Sequence, residues 1–217
     1  MRILFQGDSI TDGNRIKNNT TDLNHQIGHS YVYPIVASLM CYSCDKGYEC
    51  LNRGVSGNRV LDLYSRIKPD FLDLAPDVCS ILVGVNDFGW MVHNLDSFHG
   101  EMFDFCYRHL LDLILEKLPD CRLILCEPFY LPVEGMSEDL AAHLDYMARL
   151  QDIVKKIAED YRTVFVPLQK RFEQAVAAHG PTSYWLWDGV HPTEAGHQLL
   201  ADAWMEAAKK NGILETD

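Results

Sequence analysis

Positively charged residues are scarce in this chain: Lys and Arg number 19 against 31 Asp and Glu, so the formal net charge is −12 at pH 7. A negative field of this size repels the phosphates of nucleic acids and the surfaces of anionic membranes. The sequence also lacks any run of about 18 apolar residues, the length that a membrane-spanning helix needs. The composition therefore argues against nucleic acid and membrane lipid as partners.

The sequence also lacks the patterns of a disulfide framework and of a secretion signal. The seven cysteines are an odd number, and a chain of 217 residues can fold around a hydrophobic core without covalent cross-links. Cys41–Cys44 spells C-x-x-C, but no second such pair follows and no thioredoxin-like strand precedes it, which favours free thiols over zinc or redox chemistry. The chain opens on the apolar segment Arg2–Gln6 without a leader-like pattern, so we expect a cytoplasmic protein.

Linkers, repeats and low-complexity segments are absent too, so we expect a single domain over residues 1–217. Short apolar segments alternate with helix-like segments, a pattern typical of a parallel sheet with helices on both faces. Five strands are predicted, at Arg2–Gln6, Tyr48–Asn52, Val78–Val83, Arg122–Cys126 and Thr163–Val166. Helices are predicted at about Tyr31–Met40, Val60–Ser65, Ser97–Leu118, Glu138–Tyr161 and Thr193–Lys210.

A candidate nucleophile follows the first predicted strand directly. Ser9 lies in the segment Gly7–Thr11, just past the end of Arg2–Gln6, and open α/β sheets bind their ligands outside the carboxyl ends of the strands. Far along the chain, Asp188 and His191 are three residues apart. An acid and an imidazole are the pair that makes a serine hydroxyl nucleophilic. Together the two motifs predict a serine hydrolase.

The loops after the first three predicted strands supply candidates for an oxyanion hole. Attack on an acyl carbonyl builds negative charge on its oxygen, and preorganised donors must stabilise that charge. Gly57 offers a backbone N–H without a Cβ in the way, Asn86 offers a side-chain amide, and the N–H of Ser9 is a third donor. Taken singly, these residues would be explained by turns and caps, and Asp188 and His191 by a loop cap and a surface imidazole. The joint pattern favours a catalytic site.

Four short blocks of this chain resemble those of the GDSL-type SGNH hydrolases, a family of esterases and lipases. In family order, they are Gly7-Asp8-Ser9, Gly57, Gly84-x-Asn86-Asp87 and Asp188-x-x-His191-Pro192. The resemblance implies a flavodoxin-like, three-layer α/β/α sandwich that needs no cofactor. It implies Ser9 as nucleophile, Asp188 and His191 as the other triad members, and Gly57 and Asn86 as oxyanion donors together with the backbone of Ser9.

A narrower similarity is to bacterial intracellular acetyl xylan esterases, which remove acetyl groups from xylo-oligosaccharides. It is carried by Asp8–Arg15, Gly28–Val32, Asn52–Asn58, Glu127–Tyr130 and Trp187–Pro192. The similarity implies acetylated sugars as substrates and, because homo-oligomers are common among such enzymes, self-association. Further candidates for substrate contact are Asp8, Arg15, Tyr130 and Trp187. For Arg15 a structural salt bridge with Asp12 is the alternative, and for Trp187 core packing.

Other functions stay open at this stage. A lysophospholipase or thioesterase would take longer acyl chains, but polar residues are predicted around the serine, at Asp12, Asn14, Arg15, Asn58 and Arg59. A catalytically dead binding protein is disfavoured by the intact triad residues, and a nucleotide binder by the absence of G-x-G-x-x-G and Walker motifs. His25 and His29 form H-x-x-x-H, but the intervening Gly28 disfavours a shared helix face, so we expect no metal.

Overall fold

Five parallel strands form the centre of the protein in a computed structural model that describes residues 1–17, 26–95, 98–133 and 142–215. The strands are β1 (Arg2–Gly7), β2 (Glu49–Asn52), β3 (Val78–Leu82), β4 (Arg122–Cys126) and β5 (Val164–Val166). Each agrees with a predicted strand to within one residue at either end. The prediction succeeded because buried parallel strands are short, nearly continuous apolar runs.

The strand order β2-β1-β3-β4-β5 is the flavodoxin-like order, which confirms the predicted fold. In this order β1 lies between β2 and β3, and all four strand pairings of the sheet are parallel, with Gly7 opposite Leu82 at the end of the β1–β3 ladder. After β1 the chain adds β2 on one side of it, and it then adds β3, β4 and β5 in turn on the other side. The loops after β1, β2 and β3 therefore meet over one edge of the sheet, where such folds form a crevice.

Helices cover both faces of the sheet within the described residues. The helices are α1 (Ser9–Asp12), α2 (Val32–Tyr42), α3 (Val60–Ser65), α4 (Ile67–Asp70), α5 (Val85–Asn94), α6 (His99–Lys117), α7 (Leu144–Asp160), α8 (Gln169–His179), α9 (Thr182–Trp185) and α10 (Glu194–Lys210). The helix α2 packs against α10 on one face, while α3, α6 and α7 pack in a row on the other. Short 3-10 turns occur at Cys44–Lys46 and Leu72–Leu74.

The sequence prediction missed two of the longer helices, α5 and α8. The sequence of α5 contains Asn, Asp, Gly and His, all weak helix formers, and the helix is held instead by burial of Phe88, Met91 and Val92. In α8 only Phe172 and Ala175 are buried, so its apolar periodicity is too weak to be detected. In both segments the helix is stabilised by tertiary packing, because the local sequence pattern does not favour a helix strongly enough to predict one.

The last helix is fixed to the centre of the sheet by a buried tryptophan. The indole Nε1 of Trp204 donates to Ser80 Oγ in β3 at 2.9 Å, and its ring lies 5.3 Å from that of Phe5 in β1. These contacts hold α10, and the loop that precedes it, against the strands whose ends carry the candidate site.

The state of the cysteines and the apolar length of the helices bear on two expectations from the sequence. All seven cysteines are free thiols, with Cys41 and Cys44 exposed. No helix in the described residues is long and apolar enough to cross a lipid bilayer.

Candidate active site

Ser9 is the first residue of α1, immediately beyond the turn that ends β1. The carboxylate of Asp8 caps this helix, because its Oδ1 accepts a hydrogen bond from the Ile10 N–H at 2.9 Å. Only glycine fits at position 7, since a Cβ there would overlap the carbonyl oxygen of Leu82 on β3. The close approach of β1 and β3 and the short capped turn thus present the Ser9 hydroxyl at the edge of the sheet.

Ser9, His191 and Asp188 form one continuous chain of contacts. The Oγ of Ser9 lies 2.8 Å from His191 Nε2, and His191 Nδ1 lies 2.6 Å from Asp188 Oδ2. The other carboxylate oxygen, Asp188 Oδ1, accepts the backbone N–H groups of Val190 and His191 at 2.9 and 2.6 Å. Asp188 is therefore fixed by three donors, and it fixes the ring of His191 in turn.

The loop that carries the acid and the imidazole is closed on itself and anchored to the sheet. Leu186 and Pro192 form an antiparallel bridge, and the Trp187 N–H donates to the His191 carbonyl at 3.1 Å. Gly189 has φ +83°, and a Cβ there would lie 2.6 Å from the carbonyl oxygen of Leu131, whose own N–H donates to Gly189. A glycine is required here for both reasons, backbone conformation and close packing.

The three predicted oxyanion donors lie on the neighbouring loops after β1, β2 and β3. Gly57 has φ +82°, and no atom lies within 4 Å of the Cβ position, so glycine is needed for conformation and not for space. Asn86, in the first turn of α5, donates one amide hydrogen to the Asn58 carbonyl at 3.0 Å, which fixes the amide and leaves its second hydrogen available. Within the described residues, the N–H groups of Ser9 and Gly57 donate no hydrogen bond.

A cleft of about 1340 Å³ opens beside Ser9 and His191. Asn14, Tyr33, Trp187 and Glu194 are among the residues that line it. The arrangement places a hydroxyl beside an imidazole, hydrogen-bond donors at the sheet edge and a roomy mixed-polarity cleft next to them, which are the groups that a serine ester hydrolase needs.

Sequence comparison places this arrangement in a known family. The family model for GDSL-like lipases and acylhydrolases matches residues 5–199. The chain belongs to this family. It is accordingly a carboxylic ester hydrolase.

Individual relatives are similar over nearly the whole chain. An acetylxylan esterase from Geobacillus stearothermophilus is 34% identical over 208 residues, which cover 94% of this chain and 92% of the relative. The crystal structure of that bacterium's acetylxylan esterase superposes with a TM-score of 0.78 at 32% identity, covering 95% of this chain and 93% of the other. A GDSL-like lipase from Parabacteroides merdae gives a TM-score of 0.88 at 39% identity, covering 95% and 94%.

Trp187 lies on the surface of this hydrolase and not in its core. Its side chain is 61% exposed and lines the cleft, and its ring stacks on that of His191 with centroids 5.2 Å apart at 17°. The core-packing alternative is therefore wrong. The indole shields one face of the imidazole and presents its own opposite face to the cleft.

The structure corrects two of the proposed substrate contacts. Asp8 and Tyr130 are each only 1% exposed, so neither reaches the cleft: Asp8 caps α1, and Tyr130 packs on Phe88 beneath the triad loop. Motif spacing does not indicate whether a side chain is buried, so the sequence could not exclude these two contacts.

Arg15 is not the direct partner of Asp12, which was the structural alternative for this residue. Its Nε donates to the Gly54 carbonyl at 2.9 Å, while Asp12 pairs with Lys17 at 2.6 Å.

Of the two histidines in the H-x-x-x-H motif, the structure describes His29. His25 lies outside the described residues, and His29 is an exposed residue at the cleft. Within the described ranges, no group of three or more His, Cys, Asp or Glu side chains is arranged to hold a metal ion.

Two acidic residues below the site have unusual environments. Burial, with a smaller contribution from nearby Asp87, raises the pKa of Asp8 from 3.8 to about 7. Burial also raises the pKa of Asp87, although His99 Nε2 lies 2.9 Å from its Oδ1 and the Val60 N–H donates to its Oδ2. The sequence block Gly84-x-Asn86-Asp87 marks this acid but gives no sign of its pairing with His99.

We expect Asp8→Asn to stabilise the protein at alkaline pH. Folded protein keeps the Asp8 proton up to a pH of about 7, whereas the unfolded chain loses it near 3.8, so the stability contribution falls as the pH rises between these values. Asparagine preserves the cap to Ile10 and carries no charge. The free energy of unfolding of Asp8→Asn should therefore exceed that of the wild type by up to a few kcal/mol at pH 8 and by little at pH 4.

Urea unfolding at both pH values measures this difference. Asp120→Asn, at an exposed aspartate, is the matched control and should change the stability little at either pH. An Asp8→Asn protein that is less stable than the wild type at pH 8 would contradict the argument.

Proposed function

We propose that the protein removes short acyl groups, acetyl foremost, from carbohydrate esters such as acetylated xylo-oligosaccharides. The observation that carries the proposal is the Ser9–His191–Asp188 contact chain beside an open cleft with an exposed indole. The family relationship supports ester hydrolysis, and the similarity to acetylxylan esterases supports a carbohydrate as the alcohol component.

In the proposed mechanism, Ser9 Oγ attacks the ester carbonyl carbon while His191 Nε2 accepts the hydroxyl proton. The N–H groups of Ser9 and Gly57 and the amide of Asn86 stabilise the oxyanion of the tetrahedral intermediate. As the intermediate collapses, His191 returns the proton to the sugar oxygen, and an acyl-enzyme on Ser9 remains. His191 then takes a proton from water as that water attacks the acyl-enzyme, and it returns the proton to Ser9 Oγ when the bond to the acyl group breaks and the acid leaves.

The cleft fits the alcohol component better than a long acyl chain. It opens on the side of His191 and Trp187, where the leaving oxygen must take its proton. Trp187 and Tyr33, 61% and 56% exposed, offer ring faces on which a pyranose can pack, and Asn14 and Glu194 offer hydrogen bonds to hydroxyl groups. Ser9 and His191 both line this cleft, whereas four further cavities in the described residues are lined by neither of them.

Acyl length separates this function from that of a lipase or thioesterase. We expect acetyl esters to be cleaved much faster than octanoyl esters of the same alcohol, because polar side chains such as Asn14 and Glu194 line the cleft beside Ser9, and a long alkyl chain laid there would desolvate them. Acetylated xylo-oligosaccharides should release acetate. Initial rates over a series of aryl esters, with acetate release from the acetylated sugars, test both statements. A preference for octanoyl esters together with untouched acetylated sugars would show that the carbohydrate-esterase proposal is wrong.

A further inference from the structure

His197 is a second histidine in the wall of the same cleft. It lies in the first turns of α10, six residues beyond His191, and is half-buried. Its Nδ1 accepts a hydrogen bond from the backbone N–H of Tyr31, just before α2, at 3.0 Å. A backbone N–H can only donate, so Nδ1 must carry no proton. The ring is therefore the neutral tautomer, with its proton on Nε2.

The surroundings of His197 keep this ring neutral. Burial lowers its pKa to about 4; nearby His191 acts in the same direction, and Glu194 opposes both. Nε2 consequently carries its hydrogen throughout the neutral pH range. The contact with Tyr31 fixes the orientation of the ring as well as its tautomer.

Within the described residues, the Nε2–H group of His197 donates no hydrogen bond. The hydrogen bond of this side chain to the Tyr31 N–H uses the other ring nitrogen. The same side chain lines the cleft that contains Ser9 and His191. A fixed, uncharged donor in a substrate cleft is suited to an uncharged oxygen, such as a hydroxyl or ring oxygen of a sugar.

We propose that His197 is a specificity-determining residue whose Nε2–H donates a hydrogen bond to an oxygen of the carbohydrate leaving group. This inference rests on the proposed function and names one contact by which the cleft would recognise a sugar. The alternative is a purely structural role, in which the ring serves only to cap the Tyr31 N–H.

Two substitutions separate these roles, because asparagine and glutamine each mimic one ring nitrogen. His197→Asn keeps an acceptor at the Nδ1 position for Tyr31 and removes the donor. His197→Gln places an amide donor near the Nε2 position and loses the acceptor. His179→Asn, at an exposed histidine on α8, is the matched control.

The experiment compares kcat/KM for acetylated xylo-oligosaccharides with kcat/KM for an aryl acetate, and measures the Tm of each variant. We expect the ratio of the sugar value to the aryl value to fall about tenfold in His197→Asn, mainly through KM, since a single hydrogen bond is lost. The ratio should stay within about threefold of the wild type in His197→Gln, whose Tm should fall because the Tyr31 N–H loses its partner.

An unchanged ratio in folded His197→Asn would overturn the inference. If His197→Asn does not fold, His197→Phe, which keeps an aromatic ring without either nitrogen, decides: a tenfold fall in the ratio supports the donor role, and an unchanged ratio in the folded protein overturns it. A wild-type enzyme that hydrolyses aryl acetate but leaves acetylated sugars untouched would instead overturn the proposed function, and this inference with it.

Discussion

Replacement of Ser9 by alanine is expected to lower kcat by at least about a thousandfold while the protein stays folded. The hydroxyl is the atom group that would form the acyl-enzyme, and its contact with His191 Nε2 at 2.8 Å is the geometry that activates it. Removing a small side-chain group from the first residue of α1, at the edge of a cleft, creates no cavity in the core. The variant should therefore lose its activity and keep its thermal stability.

Steady-state hydrolysis of an aryl acetate, together with thermal unfolding, measures both quantities. Ser183→Ala is the matched control, because Ser183 is an exposed serine in α9 away from the triad contacts. Near-normal turnover by folded Ser9→Ala would mean that another group supplies the nucleophile, and the proposed mechanism would be wrong.

Asp188→Asn is expected to lower kcat by roughly 10⁴-fold, as the loss of the orienting acid does in a well-studied serine protease. The reason lies in the two backbone donors. Val190 and His191 both donate to Oδ1, so an asparagine must place its only oxygen there. Its NH2 group then faces His191 Nδ1 in place of Oδ2, and the imidazole must carry its proton on Nε2. In that tautomer His191 cannot accept the proton of Ser9.

The kcat of Asp188→Asn should be measured beside that of Asp202→Asn, which changes an exposed aspartate on α10 and should have little effect. The loop itself should persist, because its bridge between Leu186 and Pro192 and the contact of Leu131 with Gly189 do not involve the carboxylate. A loss smaller than about tenfold would show that the orientation of His191 does not depend on Asp188.

The sequence alone determined the sheet, because each strand is a short apolar run whose identity depends on local pattern. It also predicted that Ser9, Gly57 and Asn86 would meet, since parallel strands bring the loops at their carboxyl ends to one edge. The spacing of Asp188 and His191 keeps acid and base in one loop, so their contact at 2.6 Å needed no long-range information. Local chemistry and the geometry of a parallel sheet were sufficient for these features.

The tertiary structure decided which of the other polar and aromatic residues face the cleft. Tyr130 and Trp187 both stood near candidate motifs, yet one is 1% and the other 61% exposed, because Tyr130 packs against the buried Phe88 whereas Trp187 stacks on His191 at the cleft. The orientation of His197 depends on a hydrogen bond to Tyr31, 166 residues away in the chain. Burial and such distant contacts arise only when separate segments pack together, and no local pattern encodes them.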